Sequence, residues 1–286
     1  MGGSSNPGPS VIRAAFPARA LAGLGLLAAF AFLGPLAYPV DPAAIDLSNI
    51  TAGASPAHPL GTDESGRDVL ARLMHGGRVS LVVGVAAGLV ALLVGTVIGG
   101  IATTGSGWVE SVAGRLVDAA MALPAFFILL VTLTLFGGST GALVLAIGAT
   151  AWMGIARLVR AEALSLRERD WIVAARALGK SPLSVFARHI LPHLVPTLAV
   201  AATVGVAHAV LTESALSFLG LGVQPPRPSW GNMLTGAQLN LAQAPWLAVY
   251  PGVAIVLTVL ACNAVGETVR VRATALPRST RRRDGP

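Results

Sequence analysis

The sequence predicts an all-α membrane protein with six transmembrane helices. Three observations predict it. Of 286 residues, 54% are hydrophobic, and the mean hydropathy is +0.72. Only 12% are charged, 33 residues where a soluble chain of this length would carry roughly 70. Those charges are gathered between long apolar runs rather than spread along the chain. A disordered chain, polar and charge-rich, is excluded, as is an ordinary soluble enzyme. Backbone groups in hydrocarbon must bond within their own segment, so the runs should be helices. The period-two alternation of a membrane β-barrel is absent.

The spans follow in order, at about 20 apolar residues each. Ala20 to Val40 is a charge-free stretch of 21 residues. It is too long for the 7–15-residue core of a signal peptide and lacks a small-residue cleavage site, so it reads as a retained first span. Val79 to Val109 is charge-free, with its apolar part ending near Thr103. Ala119 to Ala156 runs 38 residues without a charge, enough for two spans. Gly137-Gly138-Ser139-Thr140-Gly141 should turn it into a hairpin. Ile190 to Thr212 and Leu247 to Gly266 supply the fifth and sixth. The resulting plan is a tail over 1–19, a first helix over 20–40 and an external loop over 41–78. A five-helix core over 79–266 contains a long connecting segment at 157–192, and a basic tail closes the chain over 267–286.

Six spans put both termini on one side. If that side is the cytoplasm, 16 of the 20 Lys and Arg lie inside, and only Arg67, Arg72, Arg78 and Arg227 lie outside. Both termini are therefore expected in the cytoplasm. The run Arg281-Arg282-Arg283 suits either anionic lipid or plain solvation. A pI near 11 raises nucleic-acid binding, but no basic soluble face exists to carry it. The single cysteine, Cys262, excludes an intramolecular disulfide and a Cys-based metal site.

The connecting segment is the most informative. Asp170 can cap a helix. Ile172, Ala175, Leu178 and Gly179 recur at helical spacing. Gly179 should end that helix, with Lys180 at its C-terminal end. Ser181-Pro182 can open a second helix, and Pro192 marks entry into the fifth span. Helix, glycine turn, helix on the cytoplasmic face makes a compact docking element. The plain alternative is a re-entry loop, for which the segment is long. Gly179-Lys180-Ser181 is not a phosphate loop, because the required earlier glycine is Ala174 and no strand precedes it.

Several blocks, in order, carry a resemblance. They are His58-Pro-Leu-Gly-Thr-Asp-Glu-Ser-Gly-Arg-Asp68, Ala174-Ala-Arg-Ala-Leu-Gly179, Arg188-His-Ile-Leu-Pro192, Glu213-Ser-Ala-Leu-Ser-Phe-Leu-Gly-Leu-Gly222 and Pro228-Ser-Trp-Gly-Asn-Met233. Together they resemble the dipeptide, oligopeptide and nickel permeases of ATP-binding-cassette (ABC) importers, most of all the second, six-span subunit. The connecting segment resembles that family's EAA loop. The resemblance implies a type I-like importer fold in a prokaryotic cytoplasmic membrane. It implies a second permease, two ATPase subunits holding ATP and Mg, and an external substrate-binding protein as partners. It also implies no catalytic residue and no cofactor on this chain. Contact with the ATPases would fall to Asp170, Ala174, Ala175, Ala177, Leu178, Gly179, Lys180 and Ser181. Val173 stands where the family usually has glutamate, and His193 where it often has asparagine.

Other residues are candidates on their own chemistry. Glu213, a carboxylate inside a span, is a functional candidate by default. With Ser217 it either lines the pathway as a gate or anchors the following turn. Trp230 could touch substrate or the binding protein, or pack at the interface. Gly61 to Arg78 reads as an interfacial helix, with Val69, Leu70, Leu73 and Met74 on its apolar stripe and Arg67, Asp68 and Arg72 in water. Gly84, Gly88, Gly95 and Gly99 sit at small-residue spacing for helix packing. Trp108, Trp246 and Tyr250 fall near span ends as anchors. His189 and His193 are at i, i+4 but have no third ligand for a metal. A secondary transporter or channel would show ionisable residues in several spans or repeated halves. An intramembrane hydrolase would show a nucleophile beside a base. Neither pattern is evident.

Overall fold

The computed structural model of the chain describes residues 9–104 and 107–275, the side chains of 9–17 and 273–275 excepted. Arg281, Arg282 and Arg283 and the first eight residues lie outside the described residues. The described chain is all α. Its helices are α1 (Pro9–Phe32), α2 (Gly34–Ala37), α3 (Val69–Thr104), α4 (Gly107–Ala122), α5 (Ala125–Phe136), α6 (Thr140–Arg167), α7 (Asp170–Ala177), α8 (Pro182–Val185), α9 (Leu191–Phe218), α10 (Trp230–Ala237) and α11 (Trp246–Ala275).

Among the described residues, four helical rods are long and apolar enough to cross a membrane: α3, α6, α8 continuing into α9, and α11. The bent pair α4–α5 makes a fifth if counted as one span. The apolar part of α1, Ala18–Phe32, is shorter. The architecture is therefore a multi-span helical fold with four or five clear spans, where six uniform ones were expected. Pro124 explains the third. It sits between α4 and α5, which meet at 83°. Proline offers no N–H and keeps the residue before it out of helical geometry. The 12 residues of α5 then reach only about 18 Å, short of a ~30 Å hydrocarbon layer. Leu33-Gly34-Pro35 likewise ends α1 early.

The α3 rod is the centre of the bundle and packs on α6, α9 and α1. Its closeness to its neighbours is set by glycine. A Cβ on Gly99 would stand 2.6 Å from the Ala156 carbonyl, and one on Gly95 would stand 2.7 Å from Ile155 Cβ, both on α6. Gly84 and Gly88 do the same toward Val210 and Val206 of α9. Exposed Leu26, Leu93, Leu145 and Leu260 belong to the outer faces of these rods, as lipid contact requires.

The interfacial helix expected before the second span is the first part of α3 itself. Two of the charges assigned to water there are buried: Asp68 and Arg72. Pairing explains it, since a buried charge needs a partner. Arg72 Nε lies 3.1 Å from Asp63 Oδ2, which also accepts from Arg67 Nε at 2.8 Å. Asp68 Oδ1 accepts from the Ala71 amide at 2.8 Å, the bond of an N-cap, while Oδ2 accepts from Tyr38 Oη at 2.8 Å.

Candidate functional site

The sequence blocks gather at the two ends of the bundle. Ala174–Gly179 and Arg188–Pro192 meet at one end, and the blocks around 58–68, 213–222 and 228–233 meet at the other.

At the first end, α7 and α8 form an elbow. Arg169 is the N-cap residue of α7 and makes no side-chain cap; Asp170 is the first helical residue, not the cap. Its charge still lies where the helix N-terminus favours an anion. The helix stops at Ala177. The Gly179 amide donates to the Arg176 carbonyl at 2.9 Å and the Lys180 amide to the Ala175 carbonyl at 3.3 Å, with Gly179 at φ +76°. This is the glycine-closed helix end, whose left-handed backbone costs other residues about 1–2 kcal/mol. Ser181 Oγ then caps α8 by accepting from the Ser184 amide at 3.3 Å, with Pro182 in the first turn.

One face of the elbow is anchored. Ile172 and Ala175 are buried in an apolar cluster with Ile155, Val159, Val185, Phe186 and Leu194, which ties α7 to α6 and α9. The Phe186 ring lies against Gly100 of α3, where a Cβ would come within 2.7 Å of it. The other face is open: Val173, Ala174, Ala177, Leu178, Gly179, Lys180 and Ser181 are exposed. Of the expected contact residues, the structure thus sets Ala175 inside and the rest of the set outside. A π-helical turn over Phe186–Ile190 leads into α9, and the Leu191 amide reaches back to the Phe186 carbonyl. Pro192 accounts for it, since its ring crowds the carbonyl four residues earlier.

Side chains brace the elbow. Trp171 stacks on His193 with centroids 4.7 Å apart, and Lys180 Nζ donates to His189 Nε2 at 3.0 Å. Neither contact was legible in sequence. Arg167 Nη1 donates to Glu110 Oε2 of α4 at 2.8 Å. Burial, reinforced by Arg167, holds the Arg176 guanidinium below its ordinary pKa. Among the described residues, no group of three or more His, Cys, Asp or Glu is placed to hold a metal.

At the opposite end, Glu213 is fully buried. Its Oε1 accepts from Ser217 Oγ at 2.7 Å and its Oε2 from Ser80 Oγ of α3 at 2.8 Å. Ser80 Oγ accepts in turn from the Trp230 amide at 3.2 Å, and Ser217 Oγ from the Val223 amide at 3.0 Å. One carboxylate thus joins α3, α9, the 219–229 loop and α10. Trp230 is also fully buried, its Nε1 donating to the Leu73 carbonyl at 3.0 Å. It is packed inside this joint. Ser229 and Asn232 exchange bonds as a capping box, and Asn232 Nδ2 reaches the Val223 and Arg227 carbonyls at 3.1 and 2.8 Å. Gly220, at φ +76°, closes α9 as Gly179 closes α7.

Residues 83–272 match the model of a family described as binding-protein-dependent transport system inner membrane component. The chain belongs to this family. It is a transmembrane permease subunit of an ABC importer. A putative peptide permease protein of Brucella suis is 43% identical over 238 residues, covering 82% of this chain and 79% of that protein. The oligopeptide transport system permease protein OppC of Haemophilus influenzae is 37% identical over 213 residues, covering 74% and 68%. The glutathione transport system permease protein GsiD of Pectobacterium atrosepticum is 36% identical over 246 residues, covering 86% and 82%. The permease also shares its fold with a chain of the inward-facing MetNI methionine ABC transporter. That match has a TM-score of 0.57 at 19% identity, over 70% of this chain and 95% of that one.

Proposed function

We propose that this permease conducts peptides, with a second permease completing the pathway. Two ATPase subunits dock on the open face of the α7–α8 elbow, and an external binding protein delivers cargo to the opposite end. The elbow and both termini lie in the cytoplasm, in keeping with the excess of Lys and Arg on that side. Peptides are the cargo by analogy with relatives named as peptide, oligopeptide and glutathione permeases.

One observation carries the reading. The elbow couples an exposed small-residue face to a buried anchor, so a push on Ala174 or Gly179 reaches α6 and α9 through Ile172 and Ala175. A rigid element seated on a two-state bundle is the form such switching takes. At the other end, the Glu213 joint serves as the anchor that keeps α3, α9 and α10 moving together.

Reconstitution tests the proposal. The chain with its partner subunits in proteoliposomes should accumulate peptide only with ATP. Uptake without the ATPases overturns the reading in favour of a self-contained carrier.

A further inference from the structure

Arg67 and Arg72 bond to Asp63, Arg78 to the Ala31 carbonyl and Arg167 to Glu110. Arg160 of α6 has no such partner, although it is half-buried. Its Nε is buried and bonds to nothing among the described residues. Its guanidinium lies flat on the backbone of α4: a Cβ on Gly114 would stand 2.6 Å from Cζ, Nη1 and Nη2 alike. Buried donors in folded proteins are bonded, so this one calls for an acceptor from outside the described chain.

Two more guanidiniums belong to the same neighbourhood. Arg115 follows Gly114 on α4, and Arg157 is one turn from Arg160 on α6. Both are exposed, and neither has a hydrogen bond or ion pair among the described residues. The nearby carboxylates do not neutralise them. Glu110 is held by Arg167 at 2.8 Å, and Glu162 accepts from Thr197 at 3.0 Å. Asp118, exposed on α4, bonds to none of the three arginines. The depth of this cluster follows from α6. Arg160 lies 20 residues from Thr140, about 30 Å along the helix. That is the thickness of the hydrocarbon layer. With α6 entering hydrocarbon at its Thr140 end and the elbow in the cytoplasm, the three guanidiniums stand at the level of the inner headgroups. Leu116 and Leu158, next to Arg115 and Arg157, are exposed as a surface against acyl tails must be. Trp108, exposed two turns nearer the cytoplasm, suits the membrane interface.

We propose that the α4–α6 junction at Arg160 binds the phosphate of an anionic phospholipid of the inner leaflet, with Arg115 and Arg157 beside it. The choice of leaflet rests on the transport reading above, which puts the elbow in the cytoplasm. A guanidinium meets a phosphate with two parallel bonds, and basic pockets between spans on the cytoplasmic side hold such headgroups. A protein partner would have to bring a carboxylate for each guanidinium it buried. The bilayer already carries phosphodiesters at that depth. Because the arginines outnumber Asp118, the favoured lipid has no cation of its own: phosphatidylglycerol rather than phosphatidylcholine.

The test uses the assembled transporter in bilayers holding equal amounts of phosphatidylglycerol and phosphatidylcholine. Lipid that stays bound on release into detergent is read by native mass spectrometry. The parent should keep phosphatidylglycerol roughly tenfold over phosphatidylcholine, and Arg160→Gln should erase that preference, the effect of one lost charge-assisted bond. Arg160→Lys keeps the charge but not the fork and should retain part of it. Arg115→Gln with Arg157→Gln should weaken it without disturbing the packing on Gly114, so the comparison stands even where Arg160→Gln does not assemble. Arg227→Gln, at the other end of the bundle, should leave it as in the parent. A parent without the preference overturns the site, as does a preference that survives Arg160→Gln or the paired change, with ATP-driven peptide uptake by the parent intact. An Arg160→Gln transporter that sheds the second permease while keeping the lipid preference also overturns it, in favour of a protein contact. A parent that keeps phosphatidylglycerol yet takes up no peptide with ATP overturns the transport reading and leaves the lipid site standing.

Discussion

Glu213→Leu asks whether the buried carboxylate is a joint. Glu213 accepts from Ser80 and Ser217, whose oxygens in turn accept the Trp230 and Val223 amides. Leucine fills much of the space but strands both hydroxyls. Each buried group left without a partner costs about 1–3 kcal/mol. Serine can turn back onto the carbonyl four residues earlier, which recovers part of it. The expected loss is ~2–4 kcal/mol, read as a lower melting temperature of the purified transporter. Trp230 sits in the joint, so its fluorescence should change in the same transition. Glu213→Gln keeps one acceptor and adds a donor that either serine can accept, at a cost of ~1 kcal/mol. Ser80→Ala should cost at least ~0.5 kcal/mol less in the Glu213→Leu background than in the parent, as for two residues of one joint. Wild-type melting for Glu213→Leu refutes the joint. So does a Glu213→Gln transporter that melts normally but no longer moves peptide, which would make the carboxylate a gate.

Gly179→Asn should be nearly silent and Gly179→Asp should uncouple ATP hydrolysis from uptake, measured side by side in proteoliposomes. Both residues tolerate φ +76° better than most, and a Cβ there meets nothing within 4 Å, so the difference isolates the charge on the docking face. Gly99→Ala should destabilise by ~1–3 kcal/mol, since its Cβ would press on the Ala156 carbonyl, whereas Gly23→Ala, with open space around it, should be neutral or stabilising by up to ~1 kcal/mol; thermal melts of the two compare them. Asp63→Asn should cost ~3–5 kcal/mol by stranding buried Arg72, while Glu110→Gln, whose partner Arg167 is partly exposed, should cost under ~1 kcal/mol; denaturation of the purified transporter ranks them.

Some of the elbow was legible residue by residue. Gly179 reads as a helix stop because few other residues take a left-handed backbone, and the structure closes α7 there. Ser181-Pro182 opened a helix as read. What brings Trp171 against His193, 22 positions later, is the π-turn that Pro192 forces, and no local pattern announces it. The far end was harder. Periodicity places the charges at 68 and 72 in water because it sees one helix at a time. Their burial depends on Asp63, supplied by a loop, and on Tyr38, supplied by another. Trp230 read as a loop aromatic for the same reason, since Ser80 and Leu73 lie 150 and 157 residues away.

The sequence by itself determined the solvent and the material: a bilayer chain built of helices, because apolar run length and the need to satisfy backbone bonds in hydrocarbon are local quantities. It also determined the glycine turns, whose backbone demands are local too. Only the tertiary structure decided which spans stay straight, which charges go inside, and which helices the Glu213 carboxylate joins. Those outcomes depend on pairing between segments far apart in the chain, and pairing energy belongs to no single segment.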